Sequence, residues 1–274
     1  MKKSLLFLML GVLSTGLLAY SDADMDGVED GADKCPNTPF MDLVDINGCS
    51  KESLSSDNHF DIIVGASYAE SDYKSLNATD TLSTTLQVDY YYKNFSIQAS
   101  TAYFTTDGSG YSDSGMQDSY LGASYQFKPS DSLSLRVGAV AILPTYDSSL
   151  NNNNTDYSGS LNLSYSLNNL NIFGGYIYTL INDDDTVSNA TPINYQNTNA
   201  YNIGLGYYFT NKLYVSGAYN SSTSIYKNVD DINTASVYAY YSLDEHWFTT
   251  FNYAYGISET ASKNYAALRL GYFF

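Results

Sequence analysis

The sequence predicts an all-β protein, a transmembrane antiparallel up-and-down β-barrel of about twelve strands that follows a small N-terminal segment. Three observations support this fold class. From Phe60 onward, apolar and polar residues alternate with period two in segments of about 10–12 residues. The breaks between segments alternate between short and long. The chain ends on a strand, YAALRLGYFF, with one continuously apolar face.

The first 21 residues predict a secretory signal peptide. Lys2 and Lys3 form a basic start, residues 5–18 are mostly apolar, and small residues follow at Ala19 and Ser21. A retained membrane anchor is the alternative, although the apolar run is short for a membrane span of about 20 residues. The mature chain is therefore expected in an envelope or secreted compartment.

The composition narrows the functional classes. The chain has 29 tyrosines, only 15% charged residues and a formal net charge of −17. Abundant tyrosine with polar loops is typical of strands. The acidic balance argues against binding nucleic acid, which requires a basic surface.

An acidic loop opens the mature chain. Its sequence DADMDGVEDGAD follows the calcium-loop spacing D-x-D-x-D-G, with an aspartate at the twelfth position. Alternating carboxylates direct oxygen donors at one point, which is the chemistry that Ca²⁺ prefers. The candidate donors are the carboxylates and one backbone carbonyl, namely Asp22, Asp24, Asp26, Val28, Asp30 and Asp33. A signal peptide before the loop and CPNTP after it argue against an EF-hand.

Together with VDINGC at 44–49, this pattern resembles a thrombospondin type 3 repeat of the kind found in OmpA-type envelope proteins. The resemblance covers residues 22–49 and implies bound Ca²⁺ and a Cys35–Cys49 disulfide. These are the only two cysteines, and an oxidising compartment favours disulfides. A solvated acidic linker without stable metal is the alternative. Here the repeat precedes the barrel, so the peptidoglycan binding of those relatives is not carried over.

Residues 50–59 are polar and predict a linker, and the barrel is assigned to residues 60–274. After the first segment at Phe60, the alternating segments lie near 81–92, 95–105, 117–127, 132–143, 157–167, 170–180, 199–209, 213–222, 235–243, 247–257 and the C-terminal end. These lengths suit tilted membrane strands of about 9–11 residues. A β-sandwich or β-helix is the alternative, but neither predicts such regular alternation of turn lengths.

The lengths of the breaks between segments predict which end of the barrel faces the periplasm. Short breaks include Lys93-Asn94 and Asn168-Asn169, whereas long polar breaks fall near 71–80, 106–116, 144–156, 181–198 and 222–232. In outer-membrane barrels the short turns are periplasmic. With an even strand count, both ends of the barrel and the calcium repeat are expected in the periplasm. Aromatic residues flank the short turns as an interfacial girdle would, namely Tyr90, Tyr92, Phe95, Phe127, Phe209 and Trp247.

The last strand resembles the C-terminal strand of Gram-negative outer-membrane proteins. Phe274 is the terminal aromatic residue, and Tyr272, Leu270 and Leu268 occupy the alternate upstream positions. The resemblance implies that the outer-membrane barrel assembly machinery recognises this strand. It also implies a location in the outer membrane with lipid around the barrel. The sequence does not predict an oligomeric state.

The inward faces predict a mostly neutral polar lumen with few charges. Asp89, Asp118, Arg136 and Arg269 are the charged lumen candidates, and the two arginines could pair with the two aspartates. Such pairs brace barrels more often than they select solutes. Twelve strands lie between the filled 8-stranded barrels and the aqueous 16-stranded ones, so a narrow channel for passive passage of small solutes is expected.

An enzyme and a non-conducting barrel are the two other functional classes to compare. An enzyme is not expected, because His59 and His246, the two histidines, both map to the predicted periplasmic side without an adjacent nucleophile motif. A non-conducting structural or adhesive barrel that displays polar loops is the alternative function. The calcium repeat could also act as a plug inside the lumen.

Overall fold

The computed structural model describes residues 58–71, 78–108, 111–146, 154–188 and 191–274. The predicted signal peptide, the predicted calcium repeat and most of the predicted linker lie outside these residues. The described strands are β1 (Asn58–Ser71), β2 (Thr79–Tyr92), β3 (Phe95–Gly108), β4 (Tyr111–Met116), β5 (Ser119–Ser130), β6 (Leu133–Leu143), β7 (Asp156–Leu167), β8 (Leu170–Leu180), β9 (Thr186–Ser188), β10 (Thr191–Ile193), β11 (Thr198–Tyr208), β12 (Leu213–Ser222), β13 (Ile232–Ser242), β14 (Trp247–Gly256) and β15 (Asn264–Phe273).

Thirteen of these strands form one closed antiparallel sheet. Its order follows the chain from β1 to β15, except that β9 and β10 form a separate hairpin. Because β4 and β5 both pair with β3, they are two parts of one barrel strand, and the barrel has twelve. The predicted fold class of a twelve-stranded up-and-down barrel is therefore confirmed.

The barrel closes where β1 pairs with β15, from Asp61↔Phe273 to Glu70↔Asn264. Backbone hydrogen bonds continue past both ends of this ladder. The Phe274 amide donates to the Phe60 carbonyl at 2.9 Å, and the Lys263 amide donates to the Glu70 carbonyl at 2.8 Å. The Glu70 carboxylate also accepts from Lys263 Nζ at 3.2 Å and from Asn264 Nδ2 at 2.7 Å. The first and last strands therefore leave no unpaired sheet edge between them.

The outer surface of the barrel is apolar. Val64 lies between Leu86 and Leu270 on the neighbouring strands, and all three side chains are 40% or more exposed. Among the described residues, no large side chain is fully buried, so the barrel has no packed apolar core. None of the described segments is a helix of the length and apolar character that a membrane span requires. The outward apolar side chains form a continuous belt of the kind that contacts lipid.

A ring of outward tyrosines borders the belt at the end with the long loops, here called the long-loop end. Several of their hydroxyl groups bond to polar side chains of an adjacent strand or loop. Tyr68 donates to Asp80 at 2.6 Å, Tyr176 to Asn199 at 2.6 Å, Tyr219 to Asn233 at 2.8 Å and Tyr253 to Asn264 at 2.7 Å. An apolar ring with a polar tip is what a membrane–water interface favours.

A second aromatic ring lies at the opposite end, here called the short-turn end. Outward aromatic side chains flank its turns, namely Tyr92, Phe95, Phe127, Phe209 and Trp247, each more than a third exposed. Two of the turns, Lys93-Asn94 and Asn168-Asn169, contain only two residues, and the first residue of each has a positive φ, near 50°. The predicted girdle beside the short turns is therefore present.

The fourth barrel strand differs from the prediction. A long break was expected at 106–116, but β3 continues to Gly108 and β4 returns as far as Met116. Between the pairs Tyr103↔Met116 and Ser100↔Tyr120, two residues of β3 face three residues of the partner. This extra residue is a β-bulge, which shifts the outward positions from even to odd numbers.

Two smaller differences occur elsewhere. The predicted linker at 50–59 overlaps β1, which begins at Asn58, because Asn58 and His59 pair with Tyr92 and Tyr91 on β2. The predicted loop at 181–198 contains the β9–β10 hairpin. Neither difference changes the strand count.

Glycines on the inward face create space for aromatic rings. A Cβ added to Gly271 would collide with the ring of Phe248, its partner on β14. A Cβ added to Gly206 would collide with the ring of Tyr214 in the same way, and a Cβ added to Gly204 would collide with the ring of Phe173. These rings therefore lie against the backbone of the adjacent strand, which keeps them close to the barrel wall.

Replacing Gly271 by Val is expected to lower the stability of the barrel by about 1–3 kcal/mol, because Phe248 must leave its position. The measurement is the denaturant midpoint of the refolded protein in detergent, together with its heat-modifiable electrophoretic mobility. Gly159→Val is the matched control, because an added Cβ at this outward position has no atom within 4 Å. Equal midpoints for the two variants would contradict the proposed role of Gly271.

Candidate functional site

The candidate site is the barrel lumen, which the inward side chains of the twelve strands form. Its wall is mostly neutral and polar, and neighbouring strands are linked by hydroxyl and amide hydrogen bonds. Ser96 bonds to Ser124 at 2.7 Å, Ser158 to Thr179 at 2.7 Å, and Asn171 Nδ2 to Ser164 at 2.7 Å. These side chains can also exchange hydrogen bonds with water or with an uncharged polar solute.

The predicted lumen charges face inward, but they do not form the expected ion pairs. Arg269 Nη1 donates to Gln87 Oε1 at 3.3 Å, and Gln87 Nε2 donates to Asp89 Oδ2 at 2.8 Å. The Gln87 amide therefore separates the guanidinium from the carboxylate. Across the described residues, the ion pairs within 4 Å are Lys227–Asp185 and Lys263–Glu70, both at the long-loop end.

The other two predicted charges are also bound by neutral groups. Arg136 Nη2 lies 3.5 Å from Gln126 Oε1. Asp118 accepts a hydrogen bond from the Tyr146 amide at 3.1 Å, which attaches the loop after β6 to the lumen rim. The four predicted residues are therefore distributed over the wall, and only Arg269 and Asp89 are connected, through Gln87.

Inward aromatic side chains cover one side of the short-turn half of the lumen. We call this group the aromatic wall, and it consists of Tyr91, His59, Phe273, Phe248, Tyr240, Tyr238, Tyr214 and Tyr208. These residues come from seven adjacent strands, β2, β1 and β15 to β11. His59 stacks on Tyr91 with ring centroids 4.5 Å apart, and Tyr240 stacks on Phe248 at 5.5 Å. The wall offers ring faces and edges to a solute in the lumen.

Two of the cavities that the described residues line lie in the lumen. One of about 270 Å³ lies against β1–β5 and β15 and is lined by Thr85, Gln87, Asp118, Tyr120 and Arg269, among others. The second, of about 340 Å³, lies against β8 and β11–β14 and is lined by Asn171, Phe173, Tyr214, Tyr238 and Asn252, among others. These volumes are at the lower end of the range for small-molecule sites.

Two aromatic contacts involve loop residues at the long-loop end. The ring of Tyr146 contacts that of the buried, inward Phe104, with centroids 5.5 Å apart, and its hydroxyl donates to Asp113 at 3.3 Å. On the other side, Tyr195 pairs with Tyr226 in an isolated β-bridge, and their ring centroids also lie 5.5 Å apart. We call the second pair and its loops the tyrosine clasp.

Hydrogen bonds and one ion pair, Lys227–Asp185 at 3.7 Å, hold the tyrosine clasp together. The Gln196 amide donates to the Ile225 carbonyl at 2.8 Å, and the Tyr195 amide donates to Asp185 at 2.8 Å. Burial raises the pKa of the Tyr195 hydroxyl to about 12. Burial also raises the pKa of the Asp183 carboxyl in the same loop. These contacts join the segment before β11 to the segment after β12 at the long-loop end.

Several sequence-predicted residues lie outside the described residues. They are the proposed calcium ligands Asp22, Asp24, Asp26, Val28, Asp30 and Asp33, and the cysteines Cys35 and Cys49. The proposed assembly signal is described. Phe274 and Leu270 face outward, and the Tyr272 ring packs between Trp247 at 4.8 Å and Phe274 at 4.7 Å.

Sequence reasoning missed Asp61 and the tyrosine clasp. Asp61 lies between Phe60 and Ile62, and the alternation itself indicates an inward carboxylate at this position. The clasp has no comparable signal, because Tyr195 and Tyr226 belong to different polar loops. The strands adjacent to those loops bring the two tyrosines together only in the folded barrel.

Comparisons with known proteins agree with this architecture. A family model described as "Putative MetA-pathway of phenol degradation" matches residues 47–273. The crystal structure of an outer membrane channel from Pseudomonas putida F1 is 11% identical, with a TM-score of 0.69, and the match covers 79% of this chain and 96% of that chain. The NanC porin is 15% identical, with a TM-score of 0.51, and the match covers 78% and 98%. No curated protein matches the chain.

Proposed function

The chain belongs to the MetA-pathway phenol-degradation family, and on this premise we propose that it is an outer-membrane channel for the passive passage of small solutes. The observation that carries the proposal is the combination of a lipid-type apolar belt outside and a polar, partly aromatic lumen inside one closed sheet. The long-loop end faces the exterior and the short-turn end faces the periplasm, as in other barrels of this kind.

The lumen chemistry favours small uncharged solutes and aromatic ones. Hydroxyl and amide groups supply hydrogen bonds, while the aromatic wall supplies ring faces for stacking. Phenolic compounds, which the family description mentions, combine both features. In the proposed passage, a solute passes the Phe104–Tyr146 pair and the tyrosine clasp and then meets the aromatic wall.

Conductance of the refolded protein in planar bilayers tests this function. We expect small ohmic steps, and we expect Tyr146→Ala to give larger steps because it removes a ring from the long-loop end. Tyr103→Ala is the matched control, because this tyrosine faces outward from β3. Unchanged steps in Tyr146→Ala would contradict the role of Tyr146 in the mouth.

The same recordings compare the full chain with a form that lacks residues 22–58. Steps that occur only in the shortened form indicate that the N-terminal segment plugs the lumen. Silence in both forms removes the channel function and favours the second candidate, a non-conducting barrel that displays its loops. The tyrosine clasp favours this alternative, because its bridge and ring contact give the displayed loops a defined conformation.

A catalytic function is not proposed. His59 lies in the aromatic wall at the short-turn end, stacked on Tyr91 and 4.7 Å from the Phe273 ring. His246 stacks on Tyr272 at 5.6 Å. Both histidine rings therefore pack on aromatic residues, and we interpret them as structural.

We also propose that residues 22–49 form a periplasmic calcium-binding repeat with a Cys35–Cys49 disulfide. The spacing of the aspartates supports the proposal. Calorimetric titration of the full chain with Ca²⁺ is expected to show saturable binding that Asp24→Asn with Asp26→Asn abolishes. Asp230→Asn with Asp231→Asn is the matched control in the polar segment between β12 and β13. Binding that survives in the Asp24/Asp26 variant would contradict this site.

A further proposal concerns assembly. Phe274 and Leu270 present exposed apolar side chains at the closing strand, which supports recognition of this strand by the barrel assembly machinery. Phe274→Ser is expected to lower the amount of folded barrel in the outer membrane, while the same protein refolds in detergent with nearly wild-type yield. Leu205→Ser, also outward but on β11, is the control. Equal loss in both variants would indicate a general effect of reduced apolarity.

A further inference from the structure

The larger of the two lumen cavities, of about 340 Å³, has an uncharged lining. Of the described residues, none that lines it is an aspartate, glutamate, lysine, arginine or histidine, whereas the smaller cavity includes an aspartate and an arginine. Two serines and three aromatic residues line the larger cavity, together with four asparagines, Asn171, Asn202, Asn220 and Asn252. We call it the amide cavity.

Two of the asparagines lie side by side. Asn202 on β11 and Asn220 on β12 are direct cross-strand partners, and Cβ atoms of such partners are about 4.5–5.5 Å apart. Both side chains are partly exposed and line the cavity, so a solute in the lumen can reach them.

The two amides keep hydrogen-bonding groups available. Asn220 Nδ2 donates to Thr234 Oγ1 at 3.2 Å and to Ser236 Oγ at 3.0 Å. Within the described chain, the Asn202 side chain makes no hydrogen bond and the Asn220 Oδ1 atom accepts none. The whole Asn202 amide and the Asn220 carbonyl oxygen are therefore available to a solute.

Small residues and aromatic rings shape the space beside these amides. Gly204 and Ala218 are the next inward pair on β11 and β12 towards the short-turn end. The Phe173 ring lies against Gly204, and the Tyr214 and Tyr238 rings lie further towards the short-turn end, with centroids 6.5 Å apart. All three rings line the cavity and are partly exposed. The cavity therefore combines amide groups with ring surfaces around a small free space.

A ring with several neighbouring hydroxyl groups fits this chemistry. A side-chain amide offers two N–H donors and a carbonyl acceptor, and a hydroxyl group both donates and accepts. Two adjacent amides can therefore bind two neighbouring hydroxyl groups. The C–H face of a saturated ring makes apolar contact with aromatic side chains. A neutral polyhydroxylated ring thus satisfies both kinds of surface.

Other solutes fit the amide cavity less well. A carboxylate or an ammonium group meets no opposite charge in its lining and loses part of its hydration. A phenol has a single hydroxyl group, so it leaves most of the available amide groups to water. The number of available polar groups therefore favours a solute with several hydroxyl groups.

We propose that the amide cavity is a subsite for an uncharged pyranose, whose neighbouring hydroxyl groups bond to Asn202 and Asn220 while its C–H face packs against the aromatic rings. The subsite rests on the proposed passage function and deepens it, because it names polyhydroxylated rings as the class of small uncharged solute that the lumen binds.

Saturation-transfer-difference NMR titration of the refolded full chain with methyl β-glucopyranoside, in a sugar-free detergent, tests the subsite. Tetrahydropyran-2-methanol is the matched ligand, because it keeps the ring but only one hydroxyl group, and empty micelles give the background. We expect the glucoside to bind at least about tenfold more tightly, because it makes several more hydrogen bonds. Equal affinities of the two compounds, or tighter binding of phenol than of the glucoside, would overturn the proposal.

Substitutions localise the effect. Asn202→Ala and Asn220→Ala are each expected to weaken glucoside binding about threefold to tenfold. Gln98→Ala is the matched control, because it removes an exposed inward amide from β3, on the other side of the barrel, and should bind as the wild type does. Retained affinity in both Asn variants overturns the subsite. Heat-modifiable mobility verifies folding, and if one variant fails to fold, the other and the wild-type ligand comparison remain decisive.

Conductance distinguishes this inference from the channel function. If the wild type conducts, we expect methyl β-glucopyranoside to reduce the ion current in a saturable manner, and we expect Asn202→Ala to relieve this block. Binding without conductance overturns passage and leaves the subsite intact. Conductance without selective binding of the glucoside overturns the subsite alone.

Discussion

The structure depends on one constraint, namely that backbone N–H and C=O groups inside a bilayer find no water and must pair within the protein. A sheet meets this constraint only by closing, and the β1–β15 ladder provides the closure. The bonds of the Phe274 and Lys263 amides extend the pairing beyond both ends of the ladder. Without this contact, two strands would each present an unpaired edge to lipid.

Because the sheet is closed, each strand has one face towards lipid and one face towards the lumen. The alternation of apolar and polar residues with period two follows from these two environments. Outward positions meet acyl chains and are filled by apolar residues, with tyrosines where the membrane meets water. Inward positions cannot be packed as in a soluble core, because no second layer covers them. They are filled by small polar residues that bond to their neighbours and by aromatic rings laid against glycines, as Phe248 lies against Gly271.

This division explains how much could be predicted from the sequence. The twelve strands, the closed barrel and the aromatic girdle follow from alternation, because environment alone sets that pattern. The bulge after Met116 was not predictable, because Gly115, Gln117 and Ser119 fit either face of a strand. The ion pairs predicted for Arg269 and Arg136 were wrong for a related reason. Sequence shows which charges face inward, but it does not show that Arg269 reaches across β1 to Gln87 on β2, or that Arg136 meets Gln126, its partner on β5.

At Arg269 and Arg136, contacts with the side-chain amides of Gln87 and Gln126 take the place of ion pairs. A direct Arg269–Asp89 pair would neutralise both groups. With Gln87 between them, Asp89 accepts a hydrogen bond from an amide instead, and neither ion pair of the described chain, Lys227–Asp185 or Lys263–Glu70, includes Asp61. Asp61 and Asp89 lie beside the aromatic wall, whereas Arg136 and Asp118 lie on other strands, so the charges stay distributed over the lumen. Charges that are separated and bound by amides leave the lumen surface to neutral polar groups, whose hydroxyl and amide hydrogen bonds link neighbouring strands.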